Sequence, residues 1–164
     1  MTIVEKSWFN AIWFQITWFS CVLGRDDWLL LTLALMAFHY WAVSDLRLEL
    51  RRVLPCLVLG LGVDFLLTLL GVFNFGDQLF PLWMVCLWCV FPTALPRAMA
   101  FLAKSGWRPV VLGAIAPLNY LAGQKFGAVT LPLGEVNTMI LLVPLWMIML
   151  PFMVRFSQYQ SQPQ

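Results

Sequence analysis

Apolar residues along this chain gather into long runs separated by short polar clusters, and the runs set the architecture. Six of them approach the length that crosses about 30 Å of hydrocarbon as a helix: residues 7–23, 28–43, 54–73, 81–103, 109–129 and 137–154. Gly24-Arg25-Asp26-Asp27, Asn74-Phe75-Gly76-Asp77-Gln78, Lys104-Ser105-Gly106-Trp107-Arg108 and residues 131–135 carry the turn chemistry between them. Either Asp26 or Asp27 can cap the second helix. Residues 44–52 form a charged connector whose leucines alternate as in a strand. A lone strand there would have no pairing partner, so a short interfacial helix continuing into the third run is expected, with Pro55 in its first turn. Pro92 and Pro96 predict a kink in the fourth run, and Pro117 interrupts the fifth.

Composition agrees with this pattern. The 164 residues are 62% hydrophobic and only 11% charged, against about 25% charged in soluble domains. A net charge of +2 gives no reason to expect a nucleic-acid partner. The placement of charge says more than its sum. With six crossings, Lys6, Arg47, Arg51, Arg52, Lys104, Arg108 and Arg155 fall on one side and Arg25 on the other, while Arg97 and Lys125 lie in or near spans. The positive-inside rule then makes both termini cytoplasmic. Trp8, Trp41 and Trp107 would mark the inner interface, and Trp28 and Trp83 the outer one. The expected fold is all-α: a polytopic membrane protein whose domain covers residues 1–156, followed by a polar, disordered tail at 157–164. Lys6 is the single cation before the first run, Asn10 and Gln15 interrupt that run, and no small-x-small site follows, so a cleaved signal is not expected.

Candidate chemistry centres on the third run. Gly60, Asp64, Thr68 and Gly71 recur at helical steps and share a face. A carboxylate near mid-bilayer must meet protein, water or a cation, and small residues beside it admit a neighbouring helix. Counting about 1.5 Å per residue, Asp64, Gln15 and Asn119 come out near mid-depth, with Arg97, Asn10 and His39 nearer the cytoplasm. A polar pocket open to the cytoplasm is expected, with Asp64 and Arg97 paired or nearly so; the alternative is a purely structural ion pair. Gly123 and Gly127 form a small-residue packing motif in the fifth run.

Other chemistries are weaker. Cys86-x-x-Cys89 has the spacing of a redox pair but sits in an apolar helix without a nearby cation to lower a thiol pKa, which favours packing cysteines. His39 is the single histidine, which excludes a two-histidine haem or His-rich zinc site within the chain, so no cofactor or metal is expected. No Ser-His-acid set or phosphate loop is visible.

The chain resembles the bacterial inner-membrane proteins grouped as domain of unknown function 2878. The resemblance lies in Asn10 with Phe14-Gln15 and Trp18, Val43-Ser44-Asp45 running to Glu49-Leu50, and Gly62 with Asp64. It continues in Pro81-Leu82-Trp83 with Leu87-Trp88, and in Pro117-Leu118-Asn119-Tyr120-Leu121-Ala122-Gly123 followed by Gly127-Ala128-Val129. Members often carry an Asn-His pair where this chain reads Ala94-Leu95-Pro96-Arg97. The resemblance implies an integral inner-membrane protein of unassigned activity with a link to membrane-lipid physiology. In layout alone, the six spans also resemble substrate-binding subunits of vitamin transporters and rod-shape-determining membrane proteins. The leading expectation is a non-enzymatic protein binding a lipid or small amphiphile, or serving as a membrane subunit, with lipids and a membrane-protein partner or second copy as its company. The alternatives are a transporter's substrate-binding subunit and a membrane enzyme of lipid or thiol chemistry.

Overall fold

The computed structural model describes residues 1–159, and every regular element among them is helical. The α-helices are α1 (Ser7–Gly24), α2 (Leu29–Ala42), α3 (Leu46–Leu69), α4 (Leu82–Ala94), α5 (Trp107–Ile115), α6 (Leu118–Lys125) and α7 (Glu135–Tyr159), with 3-10 turns at Ile3–Glu5 and Ala100–Lys104. By length and composition α3 and α7 are long and apolar enough to cross a membrane, while α2 and α4 are shorter apolar helices.

The connector at 44–52 belongs to α3. Asp45 caps it, its carboxylate accepting from the Leu48 amide at 2.9 Å. Because the helix starts this early, Pro55 falls in its interior and not in its first turn. The fourth apolar run does not continue as one kinked helix: α4 stops at Ala94, and the chain tightens into turns and a 3-10 segment before Lys104. Pro92 and Pro96 each remove a backbone donor, which leaves carbonyls of the preceding turn without their usual partners. The fifth run splits likewise at Ala116–Pro117 into α5 and α6. The last helix carries on to Tyr159, so residues 157–159 of the expected tail are helical, and 160–164 lie outside the described residues.

Two glycines expected to pack helices instead end them. Gly71 (φ 74°) follows α3 and Gly127 (φ 71°) follows α6. The Val72 amide returns to the Leu67 carbonyl at 2.9 Å and the Ala128 amide to the Gly123 carbonyl at 2.8 Å. This six-to-one closure needs a left-handed residue, which glycine supplies without steric cost. Neither glycine has another group within 4 Å of where a Cβ would sit. Thr68 spends its hydroxyl on the Asp64 carbonyl of its own helix, at 2.8 Å. A Cβ on Gly123 would meet only the Val129 side chain of the following turn, at 3.4 Å. Gly60 does pack closely, against the Trp88 ring, and so does Gly113, whose added Cβ would lie 2.5 Å from the Trp146 carbonyl. That closeness lets α5 lie directly on α7.

The turns at one end of the bundle are stitched together. Arg25 Nη1 donates to the Gly127 carbonyl at 2.9 Å, the Gln78 amide donates to Asp26 Oδ2 at 2.8 Å, and Asn74 and Thr130 exchange backbone hydrogen bonds. At the opposite end the Ser44 hydroxyl and amide donate to Glu5. Burial costs the Glu5 charge, yet hydrogen bonds from Ser44 and Thr2 outweigh it and hold that carboxyl down at about 2.

Large apolar side chains are exposed over much of the surface as well as packed in the core. On α7, Val136, Ile140, Ile148 and Phe152 form an outward stripe, each more than 60% exposed, whereas Thr138, Leu142, Trp146 and Met149 face inward. Trp8, Trp28, Trp41 and Trp107 are exposed near helix ends, but Trp83 is buried against Phe75 and is a core residue, not an interfacial one.

Candidate functional site

The polar residues expected to share one pocket fall into two separate groups. The first surrounds Asp64, which is 2% exposed. Its Oδ2 accepts the indole N–H of Trp88 at 2.8 Å, and its Oδ1 accepts the Tyr120 hydroxyl at 2.8 Å. Gly60, one turn earlier on α3, makes this possible: a Cβ there would lie 2.1 Å from the Trp88 ring. Only a bare backbone at Gly60 lets the indole come this close to α3 with its N–H on the acid. Tyr120 arrives from α6, redirected by the break at Pro117, and stacks on Phe73 at 4.8 Å and 8°. Phe73 reaches that position because the Gly71 turn folds the chain back beneath α3. Trp146 of α7 stacks on Trp88 (5.9 Å, 16°) and stands edge-on to Phe91 (5.9 Å, 80°).

These groups form one wall of a cavity of about 330 Å³. Phe14, Gln15 and Trp18 of α1 also line it, as do Ile115, Ala116 and Asn119 where α5 meets α6. Gln15 and Asn119, expected to be buried, are exposed at its rim. The volume lies at the lower end of the range for small-molecule sites, about 300–1,000 Å³. The lining is mainly aromatic and aliphatic, and Asp64 is its one acidic residue. Three residues singled out in the sequence, Asp64, Gln15 and Asn119, therefore meet here. The side-chain amide of Asn119 also donates to the Ala116 carbonyl at 3.0 Å, bridging the break between α5 and α6.

Arg97 does not pair with Asp64. It forms a two-pronged contact with Glu49: Nη2 to Oε2 at 2.7 Å and Nη1 to Oε1 at 2.8 Å, with Nη1 also donating to the Thr93 carbonyl at 3.0 Å. His39 Nε2 lies 2.9 Å from Glu49 Oε1, and its ring stacks on Trp13 at 4.5 Å. Glu49 and His39 are at most 1% exposed. This second group ties the end of α2 and the start of α3 to the turns that follow α4. Asn10 is fully buried on α1 with neither amide atom hydrogen-bonded among the described residues. Glu49 entered the sequence reading as part of the connector and of the family resemblance, with no site role. The signal that could have found it is depth: Glu49 opens α3 at the end where α4 closes, whereas Asp64 lies fifteen residues further along, about 22 Å at 1.5 Å per residue.

Cys21, Cys56, Cys86 and Cys89 are free, and the first three are buried. Among the described residues no group of three or more His, Cys, Asp and Glu side chains is placed to hold a metal ion. The first group thus presents a largely apolar, half-open cavity with a fixed carboxyl group in its wall.

A family model described as "Protein of unknown function (DUF2878)" matches residues 7–152 of the chain. No curated protein and no solved structure matches.

Proposed function

The chain belongs to the DUF2878 family, and from that premise we propose a bacterial inner-membrane protein that binds a small amphiphile or lipid in the Asp64 cavity. The observation that carries this reading is the aromatic-walled chamber of about 330 Å³ whose polar end is a buried carboxylate held by Trp88 and Tyr120. An apolar body fits the walls, and a polar head fits the Asp64 end.

The same reading takes the bundle as six crossings with both termini cytoplasmic. The outward apolar stripe of α7 supports it, since such a face is stable against hydrocarbon and costly against water. In this frame α4 with the turns after it is one crossing, α5 with α6 is another, and the stitched turns bearing Arg25 are external. A second function, the substrate-binding subunit of a transporter, is favoured by the same convergence of Asp64, Gln15 and Asn119 on a ligand-sized space.

Native mass spectrometry of protein gently extracted from its membrane tests the reading. Wild type should carry one tightly retained amphiphile, and Ala116→Phe, which fills the cavity, should lose it while staying folded. A bare wild-type mass, or equal retention by both proteins, would sink the proposal. A second polypeptide in the spectrum would favour a membrane subunit.

A further inference from the structure

Between the 3-10 segment Ala100–Lys104 and α5, the outer surface holds an open groove of about 240 Å³. Phe101 and Leu102 line it from the 3-10 segment, and Trp107, Arg108, Val111 and Ile115 from α5. Arg108, Val111 and Ile115 are three and four residues apart, so they stripe one face of α5 over about 10 Å. Leu102 is buried, while Phe101, Trp107, Val111 and Ile115 are each about half exposed or more. The groove is therefore apolar along its length, with a guanidinium at one end.

That end is positive and has no acid to answer it. Arg108 is held in place: its Nη1 donates to the Phe101 carbonyl at 3.0 Å, and its Cζ stands 5.8 Å from the Trp107 ring centroid. A guanidinium has five N–H donors, and this contact uses one. Lys104 is exposed at the end of the 3-10 segment, and Arg155 is exposed near the end of α7, against which both walls of the groove pack. No acidic residue occurs between Asp77 and Glu135 or after Glu135. Among the described residues neither Lys104 nor Arg108 makes an ion pair within 4 Å. Trp107 adds an exposed indole, which suits the depth where head groups meet hydrocarbon.

We propose that this groove is a binding site for an anionic phospholipid, its phosphate on Arg108 and Lys104 and an acyl chain along Val111 and Ile115. The inference rests on the chain lying in a bilayer, as read above, and not on the Asp64 cavity being occupied. Charge and shape select this occupant. A neutral amphiphile fills the groove but leaves both cations unanswered. A zwitterionic lipid brings its own ammonium up to them. A soluble phosphate answers the cations but leaves the apolar length of the groove open.

The test is a native mass spectrometric titration of purified protein, in a detergent with an uncharged head group, with dioleoylphosphatidylglycerol and dioleoylphosphatidylcholine. The two lipids share their chains and differ in head charge. A cation beside an anionic head contributes about fivefold in affinity, so wild type should prefer the glycerol lipid by about tenfold or more. Arg108→Gln and Lys104→Gln should each reduce that preference about fivefold. Lys104→Gln leaves the Arg108–Phe101 contact in place, so a folding defect in the other variant does not decide the matter. Equal affinity of wild type for the two lipids, or a preference that survives both substitutions, overturns the site. Displacement of the glycerol lipid by soluble glycerol 1-phosphate would make it a free-phosphate site and overturn the lipid. Ala116→Phe, which fills the Asp64 cavity, should keep the preference. Its loss there would place the lipid in the cavity and overturn the groove, whereas the amphiphile retained by wild type decides the cavity reading by itself.

Discussion

The strongest quantitative consequence concerns Arg97, whose partner the structure reassigns. Arg97→Gln leaves Glu49 buried, 1% exposed, without its two-pronged guanidinium partner. Removing one partner of a buried ion pair costs about 3–5 kcal/mol, because the remaining charge keeps its desolvation cost without its attraction. Glu49→Gln strands the guanidinium in the same way and should cost a similar amount. The double variant Glu49→Gln/Arg97→Gln removes both charges and leaves two amides able to hydrogen-bond each other. It should therefore be less destabilised than the sum of the singles by at least about 2 kcal/mol. Asp64→Asn combined with Arg97→Gln should be additive within about 0.5 kcal/mol, since the two sites share no partner. Reversible unfolding in mixed micelles of increasing sodium dodecyl sulfate mole fraction, followed by far-ultraviolet circular dichroism, measures all of these. Additivity of the Glu49 and Arg97 changes, or strong coupling between Asp64 and Arg97, would refute the arrangement described here.

Other consequences are simpler to state. Gly60→Ala must displace the Trp88 ring, with an overpacking cost of about 1–3 kcal/mol, and it should also weaken the amphiphile's retention. Gly62, two residues on, has nothing within 4 Å of a new Cβ, so Gly62→Ala should instead stabilise α3 by about 0.5–1 kcal/mol; the same unfolding assay separates the pair. Glu5 has its carboxyl lowered to about 2 from an ordinary 4.5. Its stabilising contact with Ser44 should be complete above pH about 4.5 and fade as the pH falls towards 2. Hydrogen exchange at the Ser44 amide, corrected for intrinsic rate, should show this loss, and Glu5→Gln should show none. A membrane-impermeant maleimide should leave Cys86 and Cys89 of the folded protein unmodified; labelling of either would revive thiol chemistry for α4.

The one-dimensional pattern determined that the chain is helical, roughly where each apolar run begins and ends, and which few polar residues had to be sheltered. Those properties are legible because hydropathy and turn chemistry act locally, so a long apolar run favours helix whatever lies beside it, even where internal prolines divide it. Asp64 could be marked in the same way, since a lone acid in a long apolar run needs company wherever the run is placed. Its companions could not be read off. Trp88 and Tyr120 look like any other aromatic residues in an apolar stretch, and only packing against Gly60 and Phe73 turns their N–H and O–H towards the acid. Glycines posed a related difficulty. Gly60 and Gly71 share a helical spacing, yet one admits an indole and the other ends the helix with φ 74°. The pairing of Arg97 with Glu49 depended on how far α3 extends below its apolar run and on where α4 stops, so it was a matter of relative depth between helices. Depth and rotation of one helix against another are set by side-chain contacts between distant parts of the chain, and only the folded arrangement brings those contacts about.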